Sequence, residues 1–400
     1  MERGIHSLDS YQLLLLLIIG YIIYSIDKKQ EYFPVPVVLL GLGLLISFIP
    51  YFESISINQD ILFFVFLPAV LFVSAYQFPL DILRKDKWII GSLGTIGVLL
   101  NVIVLGSAIF AVGNLFIDIS FIASLLIAAI LAPTDPVSVV SILKKSLSNE
   151  KIADIVEGES LLNDGTSIVL YTVLLGMLIN QTSFAPMLIL GEFFIVSIGG
   201  TLIGLAFGWI MSKAVSYSAN RQYQVMLSII VAYGSFHLGE LLGVSGVLAT
   251  VTAGMMLSFE FGRNIKDKKH FHEALNGFWE VVEPSILSIM FLTIGILAMD
   301  YLFFPEWLLV IIIFTMSLLT RFIVLSGITR TIPTWRREFS MKDVGIISFS
   351  GIKGAVSVVL LLGLEATAQN DDTLVSLAFG TIVLSIFIQS IGIFPLSKKL

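Results

Sequence analysis

Long apolar runs leave this chain few ways to fold. A bilayer core about 30 Å thick needs roughly 20 predominantly apolar residues to cross it as a helix, and spanning segments must pair all their own backbone polar groups. Runs of that kind fall near 10–26, 34–51, 59–77, 88–112, 120–142, 153–180, 187–213, 222–241, 243–261, 271–299, 305–329, 341–365 and 373–394. They predict an all-α membrane protein of thirteen transmembrane helices with no sizeable soluble domain. Composition agrees, because 56% of the residues are hydrophobic and 13% charged, against about 25% charged in soluble domains.

The loops test the count, since cytoplasmic loops collect Lys and Arg. Loops after odd-numbered spans hold Lys28, Lys29, Arg84, Lys85, Lys87, Lys144, Lys145, Lys151, Lys213, Arg221, Arg263, Lys266, Lys268, Lys269, Arg330, Arg336, Arg337 and Lys342, with Lys398 and Lys399 at the C-terminus. Loops after even-numbered spans hold none. Of 23 basic residues only Arg3, Arg321 and Lys353 break the pattern. This predicts a multi-pass protein of the cell membrane, N-terminus outside and C-terminus cytoplasmic.

Other classes fall away. Without cysteine there are no disulfides, thiol nucleophiles or thiolate metal sites, and four scattered histidines do not make a zinc site. A net charge of -6, thinly spread, offers nucleic acid no basic patch. The first apolar run lacks the basic n-region and small-residue cleavage site of a signal peptide.

Against this background Glu157-Gly158-Glu159-Ser160-Leu161-Leu162-Asn163-Asp164 stands out. A charge at membrane depth costs at least ~2.5 to 3.5 kcal/mol, and such groups are by default functional. Ser160 and Asp164, four residues apart, share one helix face, and Glu159 and Asn163 share the neighbouring one. One face would bind something, and the other would hold the helix in place. Glu157, nearest the cytoplasm, has no assigned role.

Span five carries Ala132-Pro133-Thr134-Asp135-Pro136-Val137-Ser138. Two prolines bracketing an aspartate remove two backbone donors and disfavour helix before each ring, so the helix should unwind there. Irregular backbone at that depth must be buried in protein or line a cavity. Asp164 lies roughly 16 Å in from Ala153, so Asp135 and Asp164 can meet near the midplane. Two carboxylates, the Thr134 and Ser160 hydroxyls and unwound carbonyls form an all-oxygen set suited to hard cations. Without a cation, repulsion and burial favour a protonated acid, so cation and proton should compete for one site. Lys353 lies roughly 18 Å from the cytoplasmic end of its span, too deep to snorkel easily, and Arg321 is also inside a span. Both call for an acidic partner or a broken helix.

These motifs resemble the monovalent cation/proton antiporters, the family of bacterial and archaeal sodium/proton antiporters and animal sodium/proton exchangers. The resemblance rests on Thr134-Asp135-Pro136, on Gly158 to Asp164, on Arg321 and on Gly351-Ile352-Lys353-Gly354-Ala355. It implies Asp164 as the ion and proton carrier, with Asp135, Thr134 and Ser160 completing the site for a monovalent cation. It also implies a Glu159–Arg321 pair, and Asn163 in place of the second Asp of charge-moving relatives, hence electroneutral exchange of Na+, with K+ and Li+ as further candidate ions, for H+; the alternative is a K+-preferring cation/proton antiporter. No cofactor is implied beyond the transported ions.

The implied fold is two inverted repeats of six helices, joined by span seven, with spans five and twelve crossing as broken helices. Asp135 and Lys353 would balance the half-helix dipoles. Residues 1–86 and 220–302 would form a dimerising scaffold, 87–183 and 303–400 a moving core, and 184–219 the linker, giving a homodimer that works by alternating access. Two positions depart from the family: Leu71-Phe72 is followed by Val73 where many prokaryotic relatives have a glutamate, and Lys353 replaces the usual arginine, keeping charge without the bidentate fork.

Glu280 and Glu283, one turn apart beside Pro284, read either as the lining of a cation-attracting funnel or as a partly solvated helix start. Glu192, His237, Glu240 and Glu365 read as interfacial. Gly199-Gly200 and the run from Gly243 to Gly246 read as sites of close helix packing. An intramembrane aspartyl protease also needs two membrane-embedded Asp residues, but it would show Gly-x-Gly-Asp and gives no reason for Arg321 or Lys353. A cation channel normally builds its filter by symmetry around a pore, whereas this site lies within one asymmetric chain.

Overall fold

The computed structural model describes residues 10–26, 34–52, 59–135, 140, 143–144, 150–182, 184–215, 221–264, 268–367 and 372–398. Every regular element among them is a helix. In chain order these are α1 (Ser10–Ile26), α2 (Val35–Ile46), α3 (Leu62–Gln77), α4 (Leu80–Gly113), α5 (Phe121–Ile130), α6 (Glu150–Ile179), α7 (Pro186–Val215) and α8 (Arg221–Leu241). There follow α9 (Gly246–Asn264), α10 (Lys268–Leu302), α11 (Trp307–Thr331), α12 (Pro333–Glu338), α13 (Met341–Phe349), α14 (Ala355–Thr367) and α15 (Asp372–Lys398). By length and composition α4, α6, α7, α10, α11 and α15 can cross a membrane, while α1, α2, α3, α5, α9 and α14 are apolar but shorter.

Differences from the apolar runs have local causes. Helix α4 begins at Leu80 rather than 88, because the charged stretch 80–87 is helical though not apolar. It kinks at Asp86 (φ -113°, ψ 16°) and widens to a π turn over Leu93–Gly97. Span five is helical only to Ile130, with 131–135 irregular; Pro136 and most of the span beyond it lie outside the described residues. Span twelve is two helices, α13 and α14, with 350–354 irregular between them. Helix α12 occupies a connection read as loop, with Pro333 in its first turn, where a missing N–H costs nothing.

Helices apolar on every side are sorted by packing rather than by amphipathicity. Helices α4, α5 and α6 pack on one another, α11 packs on α4, α13 and α15, and α14 packs on α15. Helices α1, α2 and α8 pack on α10, and α9 on α3 and α8. Helix α7 lies along α9 through Gly200, Gly204 and Gly208, where added Cβ atoms would collide with the backbone of 245, 249 and 253. This is the small-residue contact that membrane helices use to approach closely.

At the end of the molecule where α6 begins, Lys151 joins three elements. Its Nζ lies 2.9 Å from Asp86 Oδ1 at the α4 kink and bonds Glu338 at the end of α12, with the Phe339 ring centroid 5.6 Å away. The kink thus sets a nearly buried carboxylate against the start of α6.

Candidate functional site

The site forms where the irregular segments 131–135 and 350–354 cross. Asp135 N–H donates to the Ile352 carbonyl at 2.8 Å, and Ser357 Oγ reaches the Pro133 carbonyl at 3.4 Å. Backbone freed by the breaks finds partners in α15. Gln389 Nε2 donates to the Phe349 and Gly351 carbonyls at 2.8 and 3.4 Å, and Lys353 N–H donates to Ser385 Oγ at 3.0 Å. Ser385 Oγ in turn donates to Gln389 Oε1. Such pairing is what lets non-helical backbone persist inside a membrane protein.

Helix α6 lies against the same crossing. Ser160 Oγ donates to the Thr134 carbonyl. Asn163 Nδ2 donates to Thr134 Oγ1 at 2.7 Å and to Glu159 Oε1 at 3.1 Å, while its Oδ1 accepts from Thr134 N–H at 3.3 Å. Asn163 therefore belongs to both faces of α6, and the division into a binding face and a packing face is less sharp than spacing suggests.

Asp164 Oδ1 is buried and has no hydrogen-bond partner among the described residues. It faces a cavity of about 40 Å³ lined by Ser74, Thr134, Asp135 and Gly354 among others. A second cavity, about 370 Å³, runs from Asp164 and Ser160 past Glu283 to Glu157 and Lys144. The carboxylate of Asp135 lies against Gly354, at the N-terminus of α14, where the helix dipole favours negative charge.

A Cβ on Gly354 would overlap the Asp135 Cβ. Gly354→Ala should therefore displace this carboxylate while leaving the rest of the crossing intact. Displacements of about 1 Å in a reacting group can cost on the order of a hundredfold in rate. We expect a loss of that order in cation-driven proton movement at matched protein levels in membrane vesicles; a wild-type rate would show that Asp135 need not hold this position.

The deep charges are arranged as follows. Arg321 Nη2 lies 2.6 Å from Glu159 Oε2, with the two side chains 7% and 3% exposed. Lys353 is buried, and the charged groups whose fields reach it are Arg321 and Glu159. Glu157, which spacing leaves without a role, lies 3.0 Å from Lys144 Nζ, with Asp154 3.7 Å from the same nitrogen. Partial burial works against the Lys144 ammonium, but hydrogen bonds and charge from Glu157 and Asp154 outweigh it and hold its pKa above the ordinary lysine value.

Sequence reasoning passes over Ser385, Gln389 and Ser357. Uncharged polar residues are cheap enough in a membrane helix to carry little signal. The usable hint is the four-residue spacing of Ser385 and Gln389, which places both on one face of an otherwise apolar span.

Broken helices that cross beside a buried, partnerless carboxylate oxygen, with cavities leading to it, are the architecture of a membrane transporter and not of an enzyme. The chain matches the sodium/hydrogen exchanger transmembrane family over residues 13–399, and it belongs to that family. It is 31% identical over 352 residues to the Na(+)/H(+) antiporter NhaP of Pseudomonas aeruginosa, covering 86% of this chain and 81% of the relative. It is 28% identical over 414 residues to the Na(+)/H(+) antiporter NhaH of Halobacillus dabanensis, covering 100% and 99%. Among solved structures, the sodium proton antiporter MjNhaP1 from Methanocaldococcus jannaschii at pH 8 superposes with a TM-score of 0.76, at 21% identity and 97% coverage of both chains. That likeness speaks for the fold alone. The chain is thus a membrane transporter of the sodium/hydrogen exchanger family.

Proposed function

We propose that the chain exchanges one Na+ for one H+ at a single site formed by Asp164, Asp135, Thr134 and Ser160. The observation that carries this reading is the Asp164 Oδ1 atom, buried without a partner and facing a cavity lined by Asp135 and Thr134. A buried acceptor left unmade costs about 1 to 3 kcal/mol, more if charged, and either a cation or a proton relieves that cost. Because one species relieves it, the other is displaced, and the competition couples their movements.

In this reading the thirteen spans form two inverted repeats. Residues 87–183 and 303–400 move as a core against a dimerising scaffold of 1–86 and 220–302, linked by 184–219, and the site alternates between the two faces. The end bearing Lys144, Lys151 and Arg84 is cytoplasmic, and the cavity reaching Asp164 past Lys144 gives that side access. The Glu159–Arg321 pair and Lys353 fix the crossing and carry no ion. Asn163, uncharged, leaves one titrating carboxylate pair per site, which supports a one-for-one exchange.

The test is exchange by the purified chain in proteoliposomes, with Na+, Li+ and K+ each added against a pH gradient across a pH series. We expect Na+ to collapse the gradient at the lowest concentration, and an imposed membrane potential to leave the rate unchanged. Collapse at lower K+ than Na+ would make this a potassium-preferring antiporter, and a potential-dependent rate would overturn the one-for-one ratio.

A further inference from the structure

The route to the site passes one carboxylate that neither the site nor the deep ion pairs use. A cavity of about 660 Å³ is lined by Ser258, Asn276, Glu280 and Pro284 together with residues 76–80. Glu283 also lines it, and Glu283 lines the 370 Å³ cavity that contains Asp164 as well. Gln77 and Phe78 are the other residues common to both, so the three form the wall between vestibule and site.

Chemistry on the two routes differs. Lys144 stands in the lining of the cavity nearer Asp164, and its positive charge, though met by Glu157 and Asp154, opposes an approaching cation. Among the described residues, the lining of the larger cavity has two carboxylates and no basic side chain. Pro284, with no N–H, cannot donate to the Glu280 carbonyl, so α10 lacks one helical hydrogen bond beside the same space. Glu283 makes no ion pair among the described residues, and the charged group whose field reaches it is Asp135 of the site. A cation in the vestibule therefore meets carboxylate oxygen at Glu283 before it meets Asp164.

The geometry points to Glu283 as a relay carboxylate that draws the cation from the vestibule and passes it to Asp164 and Asp135. This rests on the antiport reading and adds to it a residue that sets the affinity for the cation on one face only. Acidic clefts raise local cation concentration by factors of about 10 to 1,000. Losing one of the two vestibule carboxylates should cost the lower part of that range.

The experiment compares wild type, Glu283→Gln, Glu283→Ala and Glu283→Asp in everted vesicles, with Asp164→Asn alongside. Either neutral variant at position 283 should raise the half-saturating Na+ on the order of tenfold while the rate at saturating Na+ stays near wild type. Glu283→Asp, which keeps the charge, should return half-saturation to within about threefold of wild type. In right-side-out vesicles, where Na+ meets the other face, half-saturation should be unchanged. A merely structural role would lower the saturating rate and would not respond to restored charge. Unchanged half-saturation in both neutral variants, while Asp164→Asn abolishes exchange, overturns the relay and leaves the antiport reading standing. Exchange that survives Asp164→Asn overturns the antiport reading itself.

Discussion

Asp164→Asn should abolish Na+-dependent dissipation of a pH gradient, down to the level of vesicles without the transporter, and the same protein should melt at or above the wild-type temperature. The two effects have one origin. Its Oδ1 is an acceptor to which nothing among the described residues donates. Such an orphaned buried group costs about 1 to 3 kcal/mol of stability. An amide can neither take up a proton nor offer full negative charge to a cation, so competition ends, and although a polar atom stays unpaired the added cost of burying a charge is gone. Exchange assays in everted vesicles and melting curves in detergent measure both. Retained exchange would remove Asp164 from the mechanism, and a large drop in melting temperature would mean that its role is structural.

The second large effect concerns the pair that is meant to carry no ion. Glu159 and Arg321 are 2.6 Å apart and nearly inaccessible. Removing one partner from a buried pair typically costs about 3 to 5 kcal/mol, because the other charge is left uncompensated. Glu159→Ala and Arg321→Ala should each destabilise on that scale, and the double variant should be less destabilised than their sum by about 1 to 3 kcal/mol. Melting of the four proteins closes the cycle; additive shifts would show that the two charges do not depend on each other. Glu159→Ala should be the more damaging single change, since Glu159 also accepts from Asn163.

What could be read from the sequence is what offends the membrane. Glu159, Asp164, Asp135, Arg321 and Lys353 are charges at depth, and Pro133 breaks a span; each is expensive by itself and so announces itself. The structure brings Glu159 to Arg321 and sets Thr134 against Ser160 and Asn163. What could not be read lies where charges cost little. Asp86, Lys151 and Glu338 are each unremarkable in a membrane-proximal segment, and only the kink in α4 and the folding of α12 bring them together. The Lys144–Glu157 contact is hidden in the same way. Helix limits were blurred for a related reason: hydropathy sees the apolar part of α4 and not its charged first turns. Ser385 and Gln389 are a third case, being too cheap to stand out although they hold the second break together.

The seating of Asn163 bears on how such a transporter could change over generations. Its amide gives both of its functions to fixed neighbours: the nitrogen donates to Thr134 Oγ1 and Glu159 Oε1, and the oxygen accepts from Thr134 N–H. Turning the amide over would set oxygen against Glu159 and NH2 against the Thr134 N–H. A carboxylate at 163 would meet Glu159 at about the same distance with no proton between them, unless one of the two stayed protonated. A lineage seeking a second titrating acid beside Asp164 could not acquire it by one substitution without loss; it would have to alter residue 159, and with it the partner of Arg321. On the one-for-one exchange proposed above, the number of protons moved per cycle would be protected by epistasis, through these three hydrogen bonds.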